Sequence, residues 1–495
     1  MCTVKTEEER AECHGVPAAT ADRQVEKALA INEGLKGTGL YREPKGELAE
    51  GQNTTWRVSP EPFKLDEKTY RFFNELGDHL LRFYEASNRL YARAVRGSLP
   101  DWVRAWLDAG KPEQVIDYAR MRRFRTAVPA IIRPDVIPTD DGYAITELDS
   151  VPGGFGLLAA MTRQYAKVGA EGIVGGKDGM VEGFVDAMRS LVPGNPHPVV
   201  AIVVSDESDA YRGEMEWLAG AVTGTGLTAF AIHPRDLVFT EEGLFLPRHV
   251  TGTAEPVRID VLYRFFELFD LKNIPKIDLI LYAIRKELVV ATPPLKHHLE
   301  EKMLMALFHH PVLEPFWLEQ LGKDGVEFLK PLFPKTWVLD PAPLPAHAVI
   351  PDLRLGGRVV SDWNQLKETT QRERELVIKP SGFAEDAWGS RGVRIGHDMA
   401  REEWAAAVDE ALAAFAQSPH ILQEFRKGTG FKLQYYDFAK QGLVPMRGRA
   451  RLCPYYFVVD GRTRLGGVLA TVTPLDKKVI HGMVDAVMAP CSVAG

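Results

Sequence analysis

Hydrophobic and polar positions change period several times along the chain, and each period predicts a different element. In KLDEKTYRFFNELGDHLLRFYEASNRLYARAV, Phe73, Leu76, Leu80 and Phe83 recur at helical spacing behind Asp66, a residue suited to cap a helix start. A core-facing helix is expected there, and PDWVRAWLDAG reads as another. From about residue 197 the pattern changes. HPVVAIVVSD is a continuous apolar run suited to a buried parallel strand, RGEMEWLAGAVTGTG is a helix ending in glycine, and LTAFAIHP and RIDVLYRFF supply further strands. Strands alternating with helices indicate a small α/β domain. No GxGxxG follows its first strand, so the dinucleotide fingerprint is missing.

PPLKHHLEEKMLMALFHHPVLEPFWLEQLG, over about 293–322, has a helical pattern. After the Pro-rich LDPAPLPAHAVIPD, the last third alternates strand, glycine-containing loop, strand, helix and strand. These shifts divide the chain into an N-terminal arm (1–60), a helical segment (61–125), a hairpin and helix (126–195), the small α/β domain (196–292), a helical segment with its connector (293–345) and a C-terminal lobe (346–495). The expected class is α/β, or α+β with several domains.

Composition narrows the setting. The chain has 495 residues, 45% of them hydrophobic and 26% charged, with a net charge of -7, which suits several globular domains and gives no basic field for nucleic acid. Its four cysteines, Cys2, Cys13, Cys453 and Cys491, have no CxxC spacing, so neither a disulfide framework nor a zinc site is suggested. MCTVKTEEERAECHG lacks the apolar core of a signal peptide, and no run approaches a membrane span. A cytoplasmic protein without a membrane partner is expected; the oligomeric state is not legible.

Chemistry concentrates first in RPDVIPTDDGYAITELDS, residues 133–150. Period-two alternation puts Glu147 and Asp149 on one side of a strand, about 6.5–7 Å apart. With Asp140, Asp141 and Gly142 as a three-residue loop, Thr139 pairs with Tyr143, Asp135 faces Glu147, and Arg133 faces Asp149. Three carboxylates on one surface repel unless a cation intervenes, and hard oxygen ligands suit Mg²⁺. The alternative is a solvated hairpin whose charges face water.

A second concentration is LVIKPSGFAEDAWGSRGVRIG, residues 376–396. Lys379 ends an apolar strand before a loop containing Gly382, Gly389 and Gly392, where backbone N–H groups could approach phosphates. An ordinary glycine-containing hairpin fits as well. HILQEFRKG ends a strand in Gln423, Glu424 and Phe425, which could offer polar groups and an apolar wall to a base. PMRGRARLCPYYFV sets Arg447, Arg449 and Arg451 at alternate positions, either a bidentate clamp for a carboxylate or phosphate or a surface salt-bridge stripe.

Together these stretches resemble the ATP-grasp superfamily, and most closely its circularly permuted branch, the synthetase type of glutathionylspermidine synthase. The resemblance covers about residues 126–430 and rests on order, because the carboxylate hairpin precedes the lysines and the glycine loop. It implies a circularly permuted ATP-grasp fold with a small parallel, pre-ATP-grasp-like α/β domain. It also implies Asp135, Glu147 and Asp149 as Mg²⁺ ligands, with Asp149 replacing the family's asparagine. Lys302 and Lys379 are implied as ATP lysines, although Lys302 by periodicity alone is a solvated surface residue. The glycine loop, including Ser390, becomes a phosphate lid, longer here than the family's usual form, and the stretch 423–425 an adenine site. Arg133 and Arg264 are implied as catalytic arginines, and Arg449, beyond the stretch the resemblance covers, is added from the alternate arginines as a candidate clamp; Arg264, in DVLYRFF, would lie near the site rim, or else snorkel from a strand end. The implied activity is ATP- and Mg²⁺-dependent ligation of a small carboxylic acid to an amine, an amino acid or peptide among the options, through an acyl phosphate. A non-catalytic nucleotide-binding scaffold and a kinase on the same fold are the alternatives. No Cys/His arrangement of an amidase is found, so glutathione and spermidine are not implied as substrates.

Overall fold

Asp66 accepts a hydrogen bond from the Thr69 amide at 2.7 Å and so starts the long helix that the spacing predicts. In this computed structural model the described residues are 18–40, 48–149, 151–345, 347–387, 391–477, 479–480 and 485–494. In chain order the first elements around the site are helix α1 (Glu67–Val95), strands β1 (Ile131–Thr139) and β2 (Gly142–Asp149), and helices α2 (Phe155–Lys167) and α3 (Gly179–Ser190). Strand β3 (Val199–Val204), helix α4 (Arg212–Thr223), strands β4 (Thr228–Ile232), β5 (Val261–Phe265) and β6 (Val290–Thr292), and helix α5 (Met303–His309) follow. The C-terminal part adds β7 (Thr336–Val338), β8 (Leu376–Pro380), β9 (Arg394–Ile395), helix α6 (Arg401–Ala413) and β10 (His420–Glu424). Four long strands end the chain: β11 (Gly430–Asp437), β12 (Gly442–Val459), β13 (Arg462–Pro474) and β14 (Val487–Val493).

Among the described residues the largest sheet has eight strands and runs β14, β13, β12, β1, β2, with β11 also paired to β12. Arg57–Val58 and Phe63–Leu65 join β14 in parallel. One face of this sheet packs on α1 and the 303–333 region through Leu76, Leu80, Phe83, Ile132, Val136 and Ile145. The other packs on α2 and α3 through Phe155, Phe184 and Phe457. The small domain is a parallel sheet in the order β6, β5, β3, β4, so its strand ends all point the same way. The continuous apolar run of β3 follows from burial on both faces. The C-terminal lobe is an antiparallel sheet, β7, β10, β8, β9, covered by α6 through Trp404, Ile378 and Leu422.

Two sequence-based expectations need correction. Residues 1–60 are more than an arm, because Ala18–Gly34 is a helix and Ala28, Ile31 and Leu35, spaced for one face, are buried. The 293–322 stretch is not one helical run. It breaks into a 3₁₀ turn at His297–Leu299, α5, another turn at Pro311–Leu313, and a helix Glu314–Leu329 interrupted at Gly322. Pro311 lacks the N–H that would continue α5, and Lys296, His297 and His298 are buried by polar partners rather than by a helical face.

The sheet–helix contact is close enough to demand glycine. A Cβ on Gly183 of α3 would stand 2.1 Å from the Phe457 ring, and one on Gly466 of β13 would stand 2.3 Å from it. The ring is therefore gripped from two sides and has no room to yield. In Gly183→Ala the helix propensity gain of about 1 kcal/mol is opposed by overpacking of about 1–3 kcal/mol. We expect a lower Tm in thermal unfolding; an increase would show that the ring can move.

Candidate active site

The hairpin is closed by a two-residue turn, Asp140–Asp141, with Thr139 paired to Gly142 and Pro138 to Tyr143. The three-residue loop expected from Gly142 is thus wrong by one position. A β-bulge at Thr146 absorbs the difference, and Asp135 still opposes Glu147 while Arg133 opposes Asp149. The bulge also decides which way the carboxylates point. Tyr143, stacked on Phe72 at 4.3 Å, and Ile145 both face the α1 core. Plain alternation would send Glu147 and Asp149 to that same apolar face; the extra residue turns them to the opposite one.

There they line a cleft of about 1160 Å³ between the large sheet, the small α/β domain and the C-terminal lobe. That volume exceeds what one drug-sized ligand needs, and leaves room for a nucleotide and a second molecule. The carboxylates meet cations rather than one another. Asp135 pairs with Arg133 at 3.1 Å and Arg451 at 2.9 Å, and the Cys453 thiol lies 3.5 Å from it. Arg133 also pairs with Asp149, whose other oxygen accepts from the Val151 amide at 3.1 Å. Lys302 pairs with Glu147 at 2.8 Å and donates to the Ala387 carbonyl at 2.9 Å. Lys379 donates to the bulge carbonyl of Thr146 at 3.3 Å and to Gln423 Oε1 at 2.9 Å. Gln423 in turn donates to Thr336 Oγ1 at 3.1 Å, which aims its oxygen at the lysine.

Burial raises the proton affinity of Asp135, but Arg133 and Arg451 more than offset this and hold its pKa below the usual carboxylate value. Lys379 is pushed down to about 8 by burial, against the attraction of Glu147.

The placements of the remaining candidates differ. Gly382 lines the cleft and lies so close to the chain at Glu300 that a Cβ would stand 2.0 Å from its carbonyl oxygen. Gly392 does not offer its amide to a ligand, since that N–H closes the loop onto Asp386 O at 2.9 Å. Gly389 and Ser390 lie outside the described residues. Glu424, Phe425 and Arg449 line the cleft, and Arg449 donates to the carbonyls of Gly428 at 3.2 Å and Leu475 at 2.7 Å. Arg264 is not at the rim. It is fully buried, paired with Glu300 and donating to the carbonyls of Pro293, at 3.3 Å, and Phe266. A strand flanked by two others has no solvent edge along which an arginine could snorkel, so the charge is paired inside.

The converging magnesium centre expected from the hairpin needs the same correction. Among the described residues no three His, Cys, Asp or Glu side chains come together as a metal site. Asp135, with both oxygens facing guanidinium groups, does not fit a metal ion. Glu147 does, because its Oε2 has no hydrogen-bond partner among the described residues; Asp149 beside it lines the cleft, but its two oxygens already meet Arg133 and the Val151 amide. The repulsion that suggested a cation is answered by Arg133, Arg451 and Lys302. The alternate arginines of β12 were the available signal for Arg451, but nothing in the sequence tied it to Asp135.

Sequence reading also missed Glu214. This residue of α4 is buried and accepts from the amides of Gly154 at 2.9 Å and Leu157 at 3.3 Å, at the N-terminus of α2 beside the cleft. Burial pushes its pKa up to about 8, with the amides pulling the other way. A carboxyl raised in this way stabilises the fold fully below its ordinary value and loses that contribution as pH rises through about 8. Glu214→Gln should therefore flatten the fall in Tm between mildly acidic and alkaline pH. A slope identical to that of the unaltered chain would assign the pH dependence to other groups.

The fold and cleft define a mixed α/β protein with cationic groups gathered over a carboxylate hairpin. No protein-family model and no curated protein matches the sequence. Among solved structures, the chain is similar to a glutathione synthetase-like effector from Globodera pallida in its apo form. The TM-score is 0.52 at 12% identity, over 96% of this chain and 98% of that one. A putative γ-glutamylcysteine synthetase from Methylobacillus flagellatus covers 83% of this chain and 88% of its own at 14% identity, but a TM-score of 0.37 is too loose to argue from. What is shared at such identity is the fold.

Proposed function

We propose that the chain is an ATP-dependent carboxylate–amine ligase of the peptide-synthetase kind, on a circularly permuted ATP-grasp fold. The observation that carries this reading is the meeting of Lys302 and Lys379, from separate parts of the chain, on the Thr146–Glu147 stretch of the hairpin. The solved neighbour described as glutathione synthetase-like supports it through fold. The domain limits drawn from the sequence, apart from the N-terminal arm, remain part of this proposal.

In this reading Lys302 and Lys379 hold the nucleotide's phosphates and Gln423, Glu424 and Phe425 flank the base. Arg133 and Arg451 are positioned to steady the transferring phosphoryl group and the acid's carboxylate, with Arg449 adding positive charge to the same wall. The γ-phosphorus–oxygen bond to ADP breaks as a bond to the substrate carboxylate forms, and the resulting acyl phosphate is the electrophile for the amine. Positioning and charge stabilisation supply most of the acceleration in such a transfer. Glu147 would hold Mg²⁺, with Asp149 joining it only by giving up a present partner, and the ion would supply charge neutralisation at the phosphates when bound. The described parts of the glycine loop, 381–387 and 391–392, would limit water access to the acyl phosphate.

The test is an ADP-release screen of amino acids and short peptides crossed with amines, run with Mg²⁺ and again with chelator. Product dependent on acid, amine and Mg²⁺ together is expected. MgATP binding without ADP formation would favour the scaffold reading, and a phosphorylated product that survives hydroxylamine would favour a kinase. Lys379→Met and Glu147→Gln should each lower kcat/KM by roughly 30- to 1000-fold, equivalent to about 2–4 kcal/mol of transition-state stabilisation, with Tm nearly unchanged. Unaltered turnover in either variant removes the site assignment.

A further inference from the structure

Strands β3 and β5 are neighbours in the parallel sheet, but the chain leaves them in opposite directions, β3 toward β4 and β5 toward β6. The crevice beyond the carboxyl ends of two such strands is where open parallel sheets take up ligands. Here that crevice opens into the cleft. Glu207, Ser208 and Tyr211 follow β3, Phe265 ends β5, and Glu267 and Phe269 follow it; all line the cavity. The small domain therefore presents aromatic surface and carboxyl groups to the hairpin, whereas the phosphate-facing wall is rich in lysine and arginine.

The carboxyl groups on this wall are not equivalent. Glu207 pairs with Arg391 at 3.4 Å and Glu300 pairs with Arg264. Glu267 lines the cleft, and among the described residues its carboxyl has neither a hydrogen bond nor an ion pair within the chain. We propose that Glu267 binds the attacking amine and receives its proton as the C–N bond forms. This rests on the ligase reading above. The geometry gives the two reacting partners separate walls, the acyl phosphate against Arg133 and Arg451 and the amine against the small domain.

The step balances as follows. An amine entering as ammonium carries three protons on nitrogen and the amide keeps one. Glu267 takes one, the C–O bond to phosphate breaks as the C–N bond forms, and the departing phosphate takes the other. Glu267 later returns its proton to solvent. A general base works best with a pKa near the operating pH. Burial is the main cause that pushes Glu267 up to about 8; Glu300 and Glu147 add to it, while Arg264 and Lys302 oppose it.

The test compares two nucleophiles on Glu267→Gln, using an acid accepted in the ADP screen. Hydroxylamine is largely neutral at pH 7 and needs no base to attack, whereas methylamine is an ammonium ion and must lose a proton. We expect hydroxamate formation to fall less than threefold and N-methylamide formation to fall about 100-fold, the contribution typical of a general base. In the unaltered protein amide formation should level off above weakly alkaline pH; in the variant it should keep rising with the fraction of free methylamine. Equal losses with both nucleophiles, or superimposable pH profiles, would overturn the assignment. Failure of the ligase reading looks different, since the unaltered protein would then make no hydroxamate with any acid. Glu267→Asp, which keeps the base but shortens its reach, should recover part of the methylamide rate and separates basicity from simple packing.

Discussion

The pairing of Asp135 with two arginines is the constraint around which the cleft is built. Removing a charge from water costs several kcal/mol even after relaxation, so nearly buried Asp135 and Arg133 are tolerable only because opposite charges stand within hydrogen-bond range. Arg451 comes from β12, which is paired antiparallel to β1. The register of those two strands is therefore tied to charge compensation as well as to the apolar packing beneath them. Half of such a network would be worse than none, since an unpaired buried charge costs more than its pair gains.

A second consequence concerns the short segment 296–302, which ties several bodies together. His297 reaches Asp108 at 3.0 Å and Glu301 forms a buried pair with Lys111 at 2.6 Å, both in the helical region. Glu300 reaches Arg264 in the small domain, and Lys302 reaches Glu147 on the hairpin. One turn of chain thus links three surroundings of the cleft, and Lys302 is held at its end instead of waving from a helix surface. This explains why a segment with helical periodicity is not a continuous helix: its polar side chains are spent on partners in different directions, and no single face is left to be apolar.

The large sheet also shows how a one-residue irregularity can carry chemical meaning. Without the bulge at Thr146, Tyr143 and Ile145 would share a face with Glu147 and Asp149, and either the aromatic core against α1 or the charged face of the cleft would have to be given up. The bulge resolves that conflict and leaves a carbonyl outside the regular ladder, which Lys379 uses. The same residues would be a solvated hairpin in another protein. Here they form the floor of a cleft because β12 and the C-terminal lobe cover them.

The sequence by itself determined what depends on local period and local chemistry. It marked α1 behind its Asp66 cap, the buried parallel strands of the small domain, and the strand and helix pattern of the C-terminal lobe, whereas the opposition of Asp135 to Glu147 came out right only because the bulge at Thr146 cancels the misread loop length. Those elements were legible because helix and strand spacing, capping and turn residues act over a few positions. What tertiary structure alone decided was who answers whose charge. Arg451 on Asp135, Lys302 on Glu147, Arg264 inside the small domain and Glu267 facing the cleft all depend on residues far apart in the chain. An isolated stretch cannot distinguish a carboxylate that needs a metal from one that has found a guanidinium, because Coulomb energy depends on distance and dielectric, and both are set only when distant strands pack.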